Sequence, residues 1–164
     1  MVDESSVALD IDRFLDEGLV FCDLKAADQT ELLTLMCAEA QRRGLVMEGY
    51  LEAVLDREKQ YPTGLETKVI KVAVPHAMDK SKVIRPAIVV AKLNSPVNFK
   101  EMGEGLVDVP AEMVFLLAMT GPKDQLTALQ KLVGLFTKDA ALIALKEAAT
   151  PTAIVQAIKD HLDG

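Results

Sequence analysis

Apolar positions along the 164-residue chain recur with two periods, and the switches between them mark out its elements. After a mixed stretch of acids and apolar residues over 1–17, closed by Gly18, the run from Leu19 to Cys22 reads as a short strand. Asp28 and Glu31 have the spacing of a capping box. Leu32, Leu33, Leu35, Met36 and Ala40 then keep helical spacing to about Arg43, where Gly44 supplies a stop. Met47, Tyr50, Leu51, Val54 and Leu55 form the stripe of a second amphipathic helix that ends near Lys59. Arg57 falls at the rim of that stripe. Glu58 falls near its middle, which demands either a distortion or a buried partner.

Tyr61-Pro62-Thr63-Gly64-Leu65 carries the punctuation of a tight turn. The segment Val69 to Val74 reads as a strand with Ile70, Val72 and Val74 on one face. Pro75 ends its ladder by removing a backbone donor and leaves His76 just past the strand end. Further strands are predicted at Ala87 to Leu93 and around Val97 to Phe99. The unbroken apolar run Met113 to Met119 predicts a central strand covered on both faces. Pro122 suits the first position of a helix whose inward face is Leu126, Leu129, Leu132, Val133 and Phe136, with Gln125 on the same face in the opening turn. Helices at Ala140 to Ala148 and Thr152 to Leu162 complete the chain. This interleaving predicts an α/β (α+β) fold: residues 1–17 an N-terminal extension, and residues 18–164 one domain with a mixed sheet of about five strands flanked by helices on both faces.

Composition narrows the function classes. An apolar share of 50% is ample for a packed core. A net charge of -7 argues against nucleic acid, whose backbone demands clustered cations. No apolar run approaches the roughly 18 to 20 residues of a bilayer span, and the start is acidic, so a soluble, unexported, cytoplasmic protein without membrane insertion is expected. Cys22 and Cys37 show no paired-ligand spacing, and with two histidines in the chain neither a zinc site nor a disulfide framework is signalled.

Few residues remain to carry chemistry. His161 sits in the last turn of the final helix, where it complements the helix dipole. His76 follows a strand and a proline, a place where rigid scaffolds present functional groups. There is no glycine-rich phosphate loop and no nucleophile elbow.

Taken together, Asp56-Arg57-Glu58-Lys59-Gln60-Tyr61-Pro62-Thr63-Gly64-Leu65 and Val72-Ala73-Val74-Pro75-His76 resemble the signature of the fructose and mannitol type enzyme IIA domain of sugar phosphotransferase systems. The resemblance runs from about Gly18 to Leu162. It implies a phosphoryl carrier in which His76 is phosphorylated and Arg57 is its catalytic companion, with Thr63, Gly64 and Gln125 orienting the phosphate. The implied donor is the phosphocarrier protein HPr and the implied acceptor a cysteine of an enzyme IIB subunit, with no metal or other cofactor. Many members have a second histidine where Gln125 stands. Gln125-Leu126 is instead similar to the galactitol-type branch, which points to galactitol uptake. The alternative on the same resemblance is a nitrogen-type regulatory enzyme IIA whose phosphorylation state controls other proteins.

Overall fold

The computed structural model describes residues 14–162. Its elements in chain order are β1 (Leu15–Leu24), α1 (Gln29–Arg42), α2 (Tyr50–Gln60), β2 (Gly64–Leu65), β3 (Val72–Ala73), β4 (Ala87–Lys100), β5 (Asp108–Ala118), α3 (Pro122–Phe136), α4 (Asp139–Glu147) and α5 (Pro151–His161). The strands form one sheet in the order β1-β4-β5-β3-β2. β1 with β4 and β3 with β5 run parallel, whereas β4 with β5 and β2 with β3 run antiparallel, so the sheet is mixed as the sequence predicts.

Alternation along the strands creates two cores. Val72, Val74, Ile88, Val90, Phe115 and Leu117 pack with residues of α3, α4 and α5 on one face. Ala73, Val89, Ala91, Val114 and Leu116 pack with α1 and α2 on the other. β5 is the common wall, with Met113 to Ala118 all buried. Truncating one of its large side chains, such as Phe115→Ala, is the kind of change that costs about 3–5 kcal/mol. Asp28 caps α1 by accepting from the Glu31 amide, and Pro122 stands in the first turn of α3.

Several boundaries differ from the sequence reading. β1 begins at Leu15, so residues 15–17 of the expected extension belong to the first strand, with Leu15 paired to Ile88, while residues 1–13 lie outside the described residues. The two strands expected at 87–93 and 97–99 are one strand, β4, which crosses a register shift between Lys92 and Val97 without leaving its partner β5. The expected strand at 69–74 forms a ladder only at Val72 and Ala73. Met47 is exposed, because α2 starts at Tyr50 behind Gly49, whose φ of 98° suits glycine. Leu126 is exposed as well: α3 turns Gln125, Ala128, Leu132, Leu135 and Phe136 inward, a stripe rotated from the one its leucines suggest.

Candidate active site

His76 inherits its direction from β3. Val72 and Val74 point to the α3 side of the sheet, and the same two-residue period carries His76 there. Proline at 75 removes a donor, yet the extended geometry persists one step further. The Leu117 amide donates to the Pro75 carbonyl at 3.0 Å, and His76 bridges in parallel to Leu117. The Leu117 carbonyl in turn accepts the buried Tyr50 hydroxyl at 3.1 Å, which ties the start of α2 to the strand beside His76.

The imidazole is buried, 4% exposed, with Nδ1 at 2.8 Å from the Val74 carbonyl oxygen. A carbonyl only accepts, so Nδ1 carries the hydrogen and Nε2 keeps its lone pair. Burial, reinforced by the positive charges of Arg57 and Lys80 and opposed by the Val74 hydrogen bond, lowers the pKa of His76 to about 4. At neutral pH the ring is an uncharged nucleophile.

Arg57 enters from the last turn of α2. Its Nη1 donates to the Tyr61 carbonyl at 2.9 Å, and its guanidinium carbon lies 5.4 Å from the centroid of the Tyr61 ring. Burial lowers its pKa, but arginine starts so far above neutrality that the charge stays. Glu58, the acid that interrupts the apolar stripe, has the buried partner the sequence demands. Its carboxylate accepts from the Thr63 amide at 2.8 Å and from the Thr63 hydroxyl at 2.9 Å. This double contact folds the chain back at residues 61–63, the same segment whose carbonyl holds Arg57.

The resemblance gives Thr63 and Gly64 a direct part in orienting phosphate; their contacts describe a different one. Both are buried and neither lines the cleft at His76, and Glu58 already takes the Thr63 amide and hydroxyl. At Gly64 a Cβ would come within 2.7 Å of the Lys100 carbonyl oxygen and 2.9 Å of Val109, so the glycine admits the β4-β5 hairpin against β2.

The cleft at His76 has a volume of about 330 Å³. Arg57, Tyr61, Met78 and Lys80 line one side; Gln125 and its α3 neighbours Pro122, Leu126 and Leu129 line the other. Gln125 is 6% exposed, and its amide nitrogen is buried without a hydrogen-bond partner. Such a donor costs roughly 1–3 kcal/mol unless something accepts from it. Among the described residues, no carboxylate lies within ion-pair distance of Arg57 or Lys80. The cleft therefore gathers two cations, which Glu58 and Asp79 offset only from beyond ion-pair distance, and a donor without an acceptor, beside an uncharged imidazole. His76, Arg57 and Gln125, the residues singled out in the sequence, line this one cleft, and Lys80 lines it with them; the sequence reading did not include Lys80, which sits in a short loop turn with no periodicity to mark which way it points. Among the described residues no group of three or more His, Cys, Asp or Glu is arranged to hold a metal ion. His161 is far from this chemistry in kind: its ring nitrogen meets the Ala157 carbonyl within α5 at 2.9 Å.

Residues 13–161 match the family model described as phosphoenolpyruvate-dependent sugar phosphotransferase system, EIIA 2. The chain belongs to this family. Enzyme IIA membership makes it a phosphotransferase-system protein with a general phosphotransferase role, in agreement with the resemblance read from the sequence. It is 28% identical over 155 residues to the fructose-specific EIIABC component of the Bacillus subtilis (strain 168) phosphotransferase system, covering 92% of this chain and 23% of that protein. The chain thus spans about a quarter of that relative's length. It is 27% identical over 121 residues to the galactitol-specific EIIA component of Escherichia coli (strain K12), covering 74% of this chain and 76% of that one. Two solved structures share the fold. One is the mannitol enzyme IIA of Escherichia coli, in complex with phosphorylated mannitol enzyme IIB (TM-score 0.71, 22% identity, 88% of this chain and 95% of that one). The other is the nitrogen regulatory protein IIA-Ntr of Neisseria meningitidis (TM-score 0.75, 20% identity, 90% and 98%). No helix among the described residues is long and apolar enough to cross a membrane.

Proposed function

We propose that this enzyme IIA carries a phosphoryl group on Nε2 of His76, accepting it from phospho-HPr and passing it to a cysteine of an enzyme IIB subunit during carbohydrate uptake. The observation that carries the reading is the cleft itself: a neutral imidazole with a free Nε2, faced by Arg57, Lys80 and the unpartnered Gln125 amide. In the accepting step the Nε2 lone pair forms the bond to phosphorus while the donor's bond to phosphorus breaks, and the donor atom keeps that electron pair. The hydrogen stays on His76 Nδ1, donated to the Val74 carbonyl, so the step moves no proton at this ring and the phosphorylated imidazole carries a positive charge that it loses again when the phosphoryl group departs. The forward step reverses the roles, with the cysteine thiolate forming the new bond and His76 leaving as neutral imidazole. Transfer of this kind asks for positioning and charge stabilisation, which a planar guanidinium supplies to equatorial phosphate oxygens. Within this reading Thr63 and Gly64 serve by shaping the turn that places Arg57, and galactitol, proposed from Gln125-Leu126, is one of the sugars named among the relatives, fructose being another.

The test is labelling with phosphoenolpyruvate, enzyme I and HPr, followed by mass spectrometry at alkaline pH. Phosphate should lie on His76 alone, and His76→Gln should fold and accept none. Phosphate on His161, or a labelled His76→Gln chain, overturns the assignment. Adding enzyme IIB separates transport from regulation, since a purely regulatory chain has no need to discharge its phosphate to that subunit.

A further inference from the structure

The three oxygens of a phosphoryl group share a charge near -2; the ring that keeps its Nδ1 hydrogen carries one positive charge behind the phosphorus, and on the α3 side the oxygens meet only the neutral Gln125 amide. Arg57 provides one positive charge. Lys80 lines the same cleft, four residues beyond His76, in a single 3-10 turn (Lys80–Lys82) capped by the Asp79 side chain. Its ammonium donates to the Met78 carbonyl at a long 3.3 Å, which leaves two of its three hydrogens for another acceptor. The lysine is only partly exposed, and no carboxylate among the described residues holds it in an ion pair.

We propose that Lys80 is a second phosphate-binding cation of this site, closing on the phosphoryl oxygens beside Arg57 and across the cleft from the neutral Gln125 amide. The inference rests on His76 being the phosphorylated residue. Burial first, and then the Arg57 charge, hold the Lys80 ammonium below the usual lysine range against the opposing pull of Asp79, and Lys80 adds in a small way to the lowering at His76: two like charges line one cleft beside an uncharged ring. Arg57 is anchored from behind by Tyr61, whereas Lys80 sits on a flexible stem, so the pair combines a fixed fork with a mobile point charge.

The experiment compares wild type, Lys80→Gln and Lys80→Arg in two labelling reactions, one with phospho-HPr and one with phosphoramidate, which offers a phosphoryl group and no protein surface. Lys80→Gln should slow both reactions about tenfold or more, the worth of one charge-assisted hydrogen bond, and Lys80→Arg should recover most of the rate. Equal rates for wild type and Lys80→Gln with phosphoramidate overturn the proposal, and so does a defect seen only as a raised KM for phospho-HPr, which marks a docking lysine. Wild-type chain that takes no label on His76 in either reaction is the separate failure of the proposed function. Circular dichroism of each variant, expected to match wild type, excludes unfolding as the cause.

Discussion

At the scale of single residues, Gln125 is where this site is most specific. Its amide nitrogen is buried with nothing to bond, an arrangement a folded chain retains at a cost unless a ligand relieves it. If the amide donates to a phosphoryl oxygen, Gln125→Ala removes one neutral hydrogen bond, so transfer to His76 should slow about two- to tenfold. Stability should stay level or rise, because the orphaned donor goes with the side chain. Gln125→His should transfer within that same range, since an imidazole also donates, and its rate should vary with pH near neutrality where the new ring titrates. Transfer kinetics together with chemical denaturation decide the matter. A thousandfold loss in Gln125→Ala means that the amide does more than orient, and unchanged kinetics in both variants place it outside the site.

Among the elements, those whose logic is local were legible in the sequence. α1 carries its own cap in Asp28 and Glu31, and β5 carries an apolar run that only a covered strand explains. β2 and β3 are two-residue ladders defined by partners distant in the chain: the alternation of Ile70, Val72 and Val74 announces a strand at β3 but not how short its ladder is, and no pattern announces β2. The rotation of α3 was hidden for a related reason: leucines at 126 and 129 mimic a core stripe, while the sheet beneath selects Gln125 and Ala128. Glu58 was legible as a problem, and the structure supplies the answer in Thr63. That answer predicts how the α2 terminus behaves. Thr63→Val keeps the shape and removes the hydroxyl, leaving one buried carboxylate oxygen without its donor, so the chain should lose about 1–3 kcal/mol. Because Tyr61 holds Arg57 from the same turn, phosphoryl transfer should fall too. Thr63→Ser should restore both. Denaturation midpoints and labelling rates measured side by side test the coupling; a Thr63→Val chain as stable as wild type would show that the Glu58 contact contributes nothing.

For the molecule as a whole, the charge distribution is uneven in a telling way. The chain carries a net charge of -7, yet two cations stand together at the His76 cleft with no acid within ion-pair distance among the described residues. If His76 carries the phosphoryl group as proposed, that anion meets both cations and the idle Gln125 amide, and the unphosphorylated state is the less satisfied one. The phosphorylated fold should therefore be the more stable. If phosphate gains one to two charge-assisted hydrogen bonds, the gain is about 2–3 kcal/mol, which for a domain of this size raises Tm by roughly 4–10 °C. Added salt should shrink the difference only modestly, because these contacts are partly buried and poorly screened. Calorimetry at alkaline pH, where phosphohistidine persists, should show the rise in wild type and none in His76→Gln treated identically. Lys80→Gln and Arg57→Lys should each keep only part of it. A phosphorylated chain that melts at or below the unmodified one would mean that the cations are satisfied in the resting state, and the cleft would then have to be read as a surface awaiting a protein partner rather than as a socket built around an anion.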